Sequence, residues 1–464
     1  MNMQSLPTLI SLILATSAFG AVSQSGDWTS TNTWSDSTVP GLSSDAPLPT
    51  LSFDSTGLEL NVNENAWMQV IDVKTTETTT INIAEGKTLT ALGISGDTAP
   101  KEFFIGDNNT SKVIFNGEGT LSLSSSGERR FVGGTWIFNT AVNQLGAIYL
   151  SSAKLIEVNG GWTSTQQISA NVAYMNINSD LSTTSSLNFW GTTSILNIDE
   201  GVRVSVGGGY GMVSGTIKGN IVATSMNGSD QYSISFGRKD DTRGTILFDT
   251  TATMESKHTS GPAMVRNVNM TINSAAGSIK TASQMYWYGS EITLNSSDVF
   301  HVGGKASQGE SVFNIATNDK GTLSSTSVSL ILGADNDFGG FNFVDGSKLS
   351  ITTNGYNVNI GGIYLSDGAS NYEVEIYNLT DFTLKIGSLD NIATEVDEEG
   401  FLRTTEGFMV SSDDTYLDYA YLVEAGDGGY WVNVTSAVPE PAECAMILGA
   451  LACALAFAKR RIGK

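Results

Sequence analysis

Short runs of alternating polar and apolar residues, each closed by a turn bearing Gly, Asn or Asp, recur along most of this chain and restrict what it can fold into. Thr80–Leu89 alternates, breaks at Glu85-Gly86 and resumes. Val113–Leu123 and Ser194–Gly207 repeat the design, and Ile292–Asn295, Phe341–Ile351 and Tyr372–Ile376 continue it. A period of two sends successive side chains to opposite faces, so each run reads as a strand of about four to six residues with one apolar side. No stretch away from the two termini carries a 3.6-residue stripe, so the expected fold is all-β with little helix.

Two architectures accommodate many short strands between Gly-rich turns: a series of sandwiches, or a parallel β-solenoid. The solenoid is favoured by three features. The turn after each apolar pair recurs in one form, and the runs continue from about residue 55 to 388 without a long linker. Asn also recurs just after the apolar residues, at Asn82, Asn116, Asn197, Asn295 and Asn342. Stacked one coil above another, these amides would form ladders. The expected fold is therefore a single-stranded right-handed parallel β-helix with terminal caps, plus a C-terminal transmembrane helix. The spacing of the runs is irregular, which leaves the register of one coil on the next open.

The flanks differ from the middle. Trp28, Trp34 and Pro40 lie in a polar N-terminal stretch placed to fold over the first coil and cover its open edge. Acidic residues crowd the region from Asp390 to Asp427, which is followed by Gly429-Tyr430-Trp431-Val432-Asn433-Val434, read here as a cap of antiparallel strands. The expected division is a signal peptide at 1–20, an N-terminal cap at 21–54, the solenoid at 55–389 and a C-terminal cap at 390–434. A linker with a Pro-Glu-Pro motif follows at 435–441, then an apolar helix at 442–458 and a basic tail at 459–464.

Charge and cysteine usage narrow the function. The formal net charge is -23, a surface that repels nucleic acid and anionic lipid. Cys444 and Cys453 both fall in the apolar C-terminal segment, so the rest of the chain offers no thiol nucleophile, zinc finger or iron–sulfur ligand set.

The search for reactive constellations yields little. His258 and His301 lie in different runs, without a neighbouring Ser or carboxylate pattern that implies a triad. Arg129-Arg130 and Arg238-Lys239-Asp240-Asp241-Thr242-Arg243 are the compact basic groups; the second holds the residue types of a lyase groove but reads more simply as a solvated loop with internal ion pairs. Asp335-Asn336-Asp337 is dense in oxygen ligands yet lacks the order of an EF-hand and its terminal Glu, so a turn is the expectation. Tyr286, Trp287 and Tyr288 form the strongest aromatic cluster, and alternation must turn one or two of them inward. No glycine-rich loop opens a helix, so nucleotide binding has no support. No catalytic, cofactor-binding or metal-ligating residue is assigned.

The ends of the chain point to a destination. Leu9–Phe19 is apolar and Ala18-Phe19-Gly20 offers small residues at the positions of a signal-peptidase site, although Met1–Thr8 carries no Lys or Arg; a buried first strand or helix is the alternative. At the other end, Val438-Pro439-Glu440-Pro441 precedes the apolar run Ala442–Ala458 and the basic stop Lys459, Arg460, Arg461. Such a run is at the short edge of what spans a bilayer, and a buried core helix is the alternative.

That order resembles the PEP-CTERM sorting signal of Gram-negative bacteria, and the region before it resembles autotransporter-like, adhesin-like β-solenoid repeats. The resemblance implies that Pro439, Glu440 and Pro441 are the sorting motif read by an exosortase-type membrane processing enzyme. It implies transient anchoring in the inner membrane through the C-terminal helix, then a surface or extracellular position, with polysaccharide or matrix as further partner. The expectation is an exported, non-catalytic structural or adhesin-like protein, with a carbohydrate-binding or polysaccharide-degrading β-helix as the alternative.

Overall fold

The computed structural model describes residues 19–434 apart from 45–49, 55–56, 94–100, 107–109, 125–128, 151–152, 171–173, 192, 227–231, 239–242, 304–311, 317–326, 367–368, 370–371, 378–382, 391, 399, 405–407, 413–414, 418–419 and 427. The chain divides into two compact units, Met1–Gly237 with Gly244–Gly261, and Arg238–Arg243 with Pro262–Lys464. Each is a parallel β-solenoid.

In the first unit a coil contributes one strand to each of three sheets in turn. One such coil is Arg129–Val132, Thr135–Phe138 and Ala141–Gln144. The next is Ile148–Leu150, Leu155–Val158 and Trp162–Ser164, and each strand pairs in parallel with its counterpart above. The alternation seen in the sequence is the pleat of these strands: Thr78–Ile83 buries every second residue. Parallel pairing through all three sheets excludes the array of sandwiches.

Register accounts for the irregular spacing. The second sheet advances 20 residues from Thr135 to Leu155, 19 on to Tyr174 and 21 on to Ile195. It advances 34 from Thr78 to Lys112 and 31 from Gly215 to Ile246. The extra residues fall in sequence on either side of the first-sheet strand, as around Lys101–Gly106 and Ile234–Gly237. The corner from second to third sheet stays short throughout, as at 117–119, 139–140, 159–161 and 178–180. Gly86 and Gly201, which break the alternation in the sequence, sit at this corner with φ of 70° and 74°, a conformation that costs Gly little.

Inward residues stack on their equivalents. Phe115 and Phe138 are paired in register and their rings lie 5.1 Å apart at 7°. Phe131 and Trp162 meet Phe138 from the neighbouring faces. Gln144 is a polar group satisfied within the core: it accepts from Trp162 Nε1 at 2.8 Å and donates to the Gly146 carbonyl at 2.6 Å.

Trp28 and Trp34 are buried and meet edge to face at 5.1 Å. Trp28 Nε1 donates to the Pro40 carbonyl at 2.7 Å, and Trp34 Nε1 to the Trp28 carbonyl at 2.8 Å. Residues 1–18 of the expected signal peptide lie outside the described residues. Phe19–Ala21 is the first strand, parallel to Thr50–Phe53, so the pairing starts before the boundary set at 55.

The second unit repeats the plan with Met285–Tyr288, Glu291–Leu294 and Phe300–Val302. Its second sheet advances 22 residues from Asn269 to Glu291 and 38 on to Ser329. In its third sheet parallel order ends at Leu384–Ile386, which pairs antiparallel with Tyr430–Val434; Ala420–Glu424, Leu402–Thr404 and Thr394–Val396 follow, also antiparallel.

One part of the expected architecture requires correction. Among the described residues no helix is long and apolar enough to cross a membrane, and the segment at 442–458 lies outside them. The physical margin was already thin: the 17 residues from Ala442 to Ala458 would rise only about 26 Å as a helix, against about 30 Å of hydrocarbon. The transmembrane helix is withdrawn. With it go the inner-membrane stage before surface export, the exosortase-type partner acting at that stage, and the polysaccharide or matrix partner it was to precede. Among the described residues the helical content is a single 3₁₀ turn at Thr31–Thr33.

Candidate functional site

The outward side of the second sheet carries the most ordered display of polar groups. In the first unit Asn61 lies in register with Asn82, and Asn82 with Asn116. The column continues one residue beyond the pairs Phe115–Phe138, Phe138–Val158 and Val158–Ile177, through Asn139, Asn159 and Asn178. Asn178 Nδ2 donates to Asn159 Oδ1 at 2.8 Å, Asn159 to Asn139 at 2.7 Å and Asn139 to Asn116 at 2.7 Å. Asn82 donates to Asn61 Oδ1 at 2.9 Å and also to Glu59.

All five asparagines singled out in the sequence take part in such bonds. Asn197 donates to Asn176 at 3.0 Å, Asn295 to Asn273 at 2.7 Å and Asn342 to Asn314 at 2.8 Å. A primary amide has both a donor and an acceptor, so a column of them can repeat at the spacing of adjacent strands without leaving a group unmatched.

Beside the ladder, at the start of the same strands, runs an open groove of about 770 Å³ lined by Thr76, Glu77, Thr78, Lys112, Thr135 and Lys154, among others. Lys112 and Lys154 form no ion pair with a described residue. Tyr174, in register with Leu155, is 48% exposed. Threonine hydroxyls and two ammonium groups give the groove the capacity for weak polar contacts, and the exposed Tyr174 ring on the same sheet lies outside its lining. They do not assemble an acid, a base and a nucleophile around one point.

The second unit holds the densest ionic cluster. Lys348 Nζ lies 2.8 Å from Glu373 Oε1 and 2.7 Å from Glu375 Oε1. Glu375 is 2% exposed and also accepts from Ser350 Oγ at 3.1 Å and Tyr377 OH at 2.8 Å. Burial pulls the Lys348 ammonium down, but hydrogen bonds and charge from Glu373 and Glu375 outweigh it and hold the pKa above the ordinary lysine value. A lysine held protonated is no base, and the bonds on Glu375 fix it as a staple between the paired strands Ser347–Thr352 and Tyr372–Tyr377.

The residues weighed in the sequence fall into structural roles or outside the description. His258 Nδ1 accepts from the Gly261 backbone N–H at 2.7 Å in a turn, and His301 is exposed on Phe300–Val302. Arg129 and Arg130 begin the strand Arg129–Val132. Arg243 donates to Asn267 Oδ1 at 3.2 Å and to the Gly289 carbonyl at 2.5 Å, while Lys239, Asp240 and Asp241 lie outside the described residues.

Asp335-Asn336-Asp337 forms turn and ladder contacts. Asp335 accepts from the Asn357 backbone N–H at 2.7 Å, Asn336 from the Asp298 N–H at 3.1 Å, and Asp337 from Asn359 Nδ2 at 2.5 Å. No group of three or more metal-ligating side chains occurs among the described residues. In the aromatic cluster Trp287 is fully buried while Tyr286 and Tyr288 stack at 6.1 Å on the opposite side of the strand, the inward turn that alternation demands. Pro439, Glu440, Pro441, Lys459, Arg460 and Arg461 lie outside the described residues.

Sequence reasoning missed the Lys112–Lys154 groove and the Lys348 cluster. Alternation alone places Lys348 with Ser350, and Glu373 with Glu375, on common faces. Which face meets which depends on the 25-residue advance from Lys348 to Glu373.

The fold and surface define a repetitive β-solenoid structural scaffold. No family model, no curated protein and no solved structure matches the chain.

Proposed function

We propose that the protein is a non-catalytic, adhesin-like structural scaffold that acts through repeated weak contacts on its outer faces. The observation that carries this reading is the asparagine column from Asn116 to Asn178, where outward polar groups are engaged in coil-to-coil bonds. The ionic cluster at Lys348 supports it for the same reason, since its charges join adjacent strands. The order of Val438-Pro439-Glu440-Pro441 supports placing the chain among PEP-CTERM proteins.

The test is retention of the full chain on hydrophilic and glycan-coated sensor surfaces, with parallel chromatography of the soluble glycans offered to it. Retention spread over many contacts should survive Lys112→Ala, Lys154→Ala or Tyr174→Ala taken singly, and the glycans should be recovered intact. Shortened glycan products, or loss of all retention on one such substitution, would overturn the scaffold reading in favour of a single site.

A further inference from the structure

Three Asn-Gly pairs fall within the described residues: Asn116-Gly117, Asn159-Gly160 and Asn354-Gly355. An Asn-Gly bond is open to internal attack because Gly has no side chain to shield its amide nitrogen. The reaction needs three things: that nitrogen uncommitted, the Asn Nδ2 free to leave, and the Asn Cγ polarised.

Asn116 and Asn159 share the third, since the Oδ1 of each accepts from an asparagine one coil on, and they differ in the first two. Asn159 Nδ2 donates to Asn139 Oδ1 at 2.7 Å, and the Gly160 N–H donates to the Phe138 carbonyl at 2.9 Å, so both reacting nitrogens are tied. Asn354 Nδ2 donates to the Leu332 carbonyl at 2.9 Å. Asn116 ends its ladder. Its Oδ1 accepts from Asn139 Nδ2 at 2.7 Å, while Asn82 in the preceding coil directs its own amide to Asn61 and Glu59. Neither Asn116 Nδ2 nor the Gly117 N–H has a hydrogen-bond partner among the described residues.

We infer that Asn116 is a site of spontaneous deamidation, set apart from the other Asn-Gly pairs by its place at the end of the ladder. The Gly117 nitrogen attacks Asn116 Cγ and gives up its proton, and Nδ2 gains one and leaves as ammonia, closing a succinimide. Water then opens the ring at either carbonyl, giving Asp or isoaspartate. The donor on Oδ1 favours the step, because a bond already aimed at that oxygen stabilises the charge developing there. A groove of about 420 Å³ lined by Asn82, Glu85, Gly117 and Glu118 admits the water.

The two products act differently on the fold. An Asp at 116 still accepts from Asn139, now through a charge-assisted bond. Isoaspartate adds a backbone carbon at a residue held in register with Asn82 and shifts the ladder from that point.

The experiment incubates the full chain, native and urea-unfolded, in mildly alkaline heavy-oxygen water and maps label by peptide mass spectrometry. In the native chain label should enter at Asn116 at least about tenfold faster than at Asn159, whose two engaged groups must first be released. Asn354 should lag as well, and the three rates should converge on unfolding. Asn139→Ala removes the donor to Asn116 Oδ1 and the acceptor of Asn159 Nδ2 together, so it should slow Asn116 and speed Asn159. Native rates that are equal, or Asn159 leading, would overturn the proposal, as would an Asn139→Ala chain that stays folded by circular dichroism with both rates unchanged.

Discussion

Phe138→Ala tests whether ring stacking between coils holds the first unit together. Phe138 is fully buried, lies parallel to Phe115 at 5.1 Å, and meets Trp162 at 5.4 Å and Phe131 at 6.1 Å. Truncating a buried Phe costs about 3–5 kcal/mol, from lost transfer free energy and the residual cavity. Three aromatic neighbours place this site toward the upper half of that range, since such pairs contribute about 0.5–1.5 kcal/mol beyond area alone. In a stack where each coil touches only its neighbours, the loss should be local. Urea unfolding of the full chain gives the total. Amide exchange should show the largest loss of protection in Lys112–Asn116 and Leu155–Val158, the second-sheet strands on either side. Combined with Phe115→Ala, the double variant should deviate from additivity by about 0.5–1.5 kcal/mol. The reasoning is refuted if Phe138→Ala costs less than about 1 kcal/mol, or if the two substitutions add within about 0.3 kcal/mol.

Other outcomes follow from the same geometry. Asn139→Ala, which loses bonds to Asn116 and Asn159 at a solvent-facing corner, should cost only about 1–2 kcal/mol in urea unfolding; a larger loss would make the ladder, not the core, the main support. Gly117→Ala should destabilise by more than about 1–3 kcal/mol, the range for backbone strain alone. Its φ is 99° and the added Cβ would sit 2.1 Å from the Ile83 carbonyl oxygen. Lys348→Met leaves the buried Glu375 carboxylate without its counter-ion and should cost about 3–5 kcal/mol, with Glu375→Gln restoring part of it. Because the folded-state pKa of Lys348 is raised above the ordinary lysine value of 10.5, its contribution is fully present below that value. It is lost as pH rises through the folded-state value. The stability difference between wild type and Lys348→Met should therefore narrow only in strongly alkaline solution, and narrowing near neutrality would contradict the assignment.

What the sequence determined by itself was local. The period of two in Thr80–Leu89 and Val113–Leu123 forces strands, because only an extended backbone sends successive side chains to opposite faces. The Glu85-Gly86 break forces a corner, because Gly accepts positive φ cheaply. The asparagines at 82, 116, 197, 295 and 342 announced stacked amides, because a self-complementary group at a fixed place in each run has its best partner in its own copy one coil away. Tertiary structure alone decided the register. The parallel pairings that set it join residues as few as 17 apart, from Arg203 to Asn220, or as many as 38, from Glu291 to Ser329. Loop length changes that number without changing the alternation of the strands. For this reason the groove beside Lys112 and Lys154, the junction of Lys348 with Glu373 and Glu375, and the free end of the ladder at Asn116 were not legible in the chain. Each depends on which coil lies beside which, a relation created only when the strands pair.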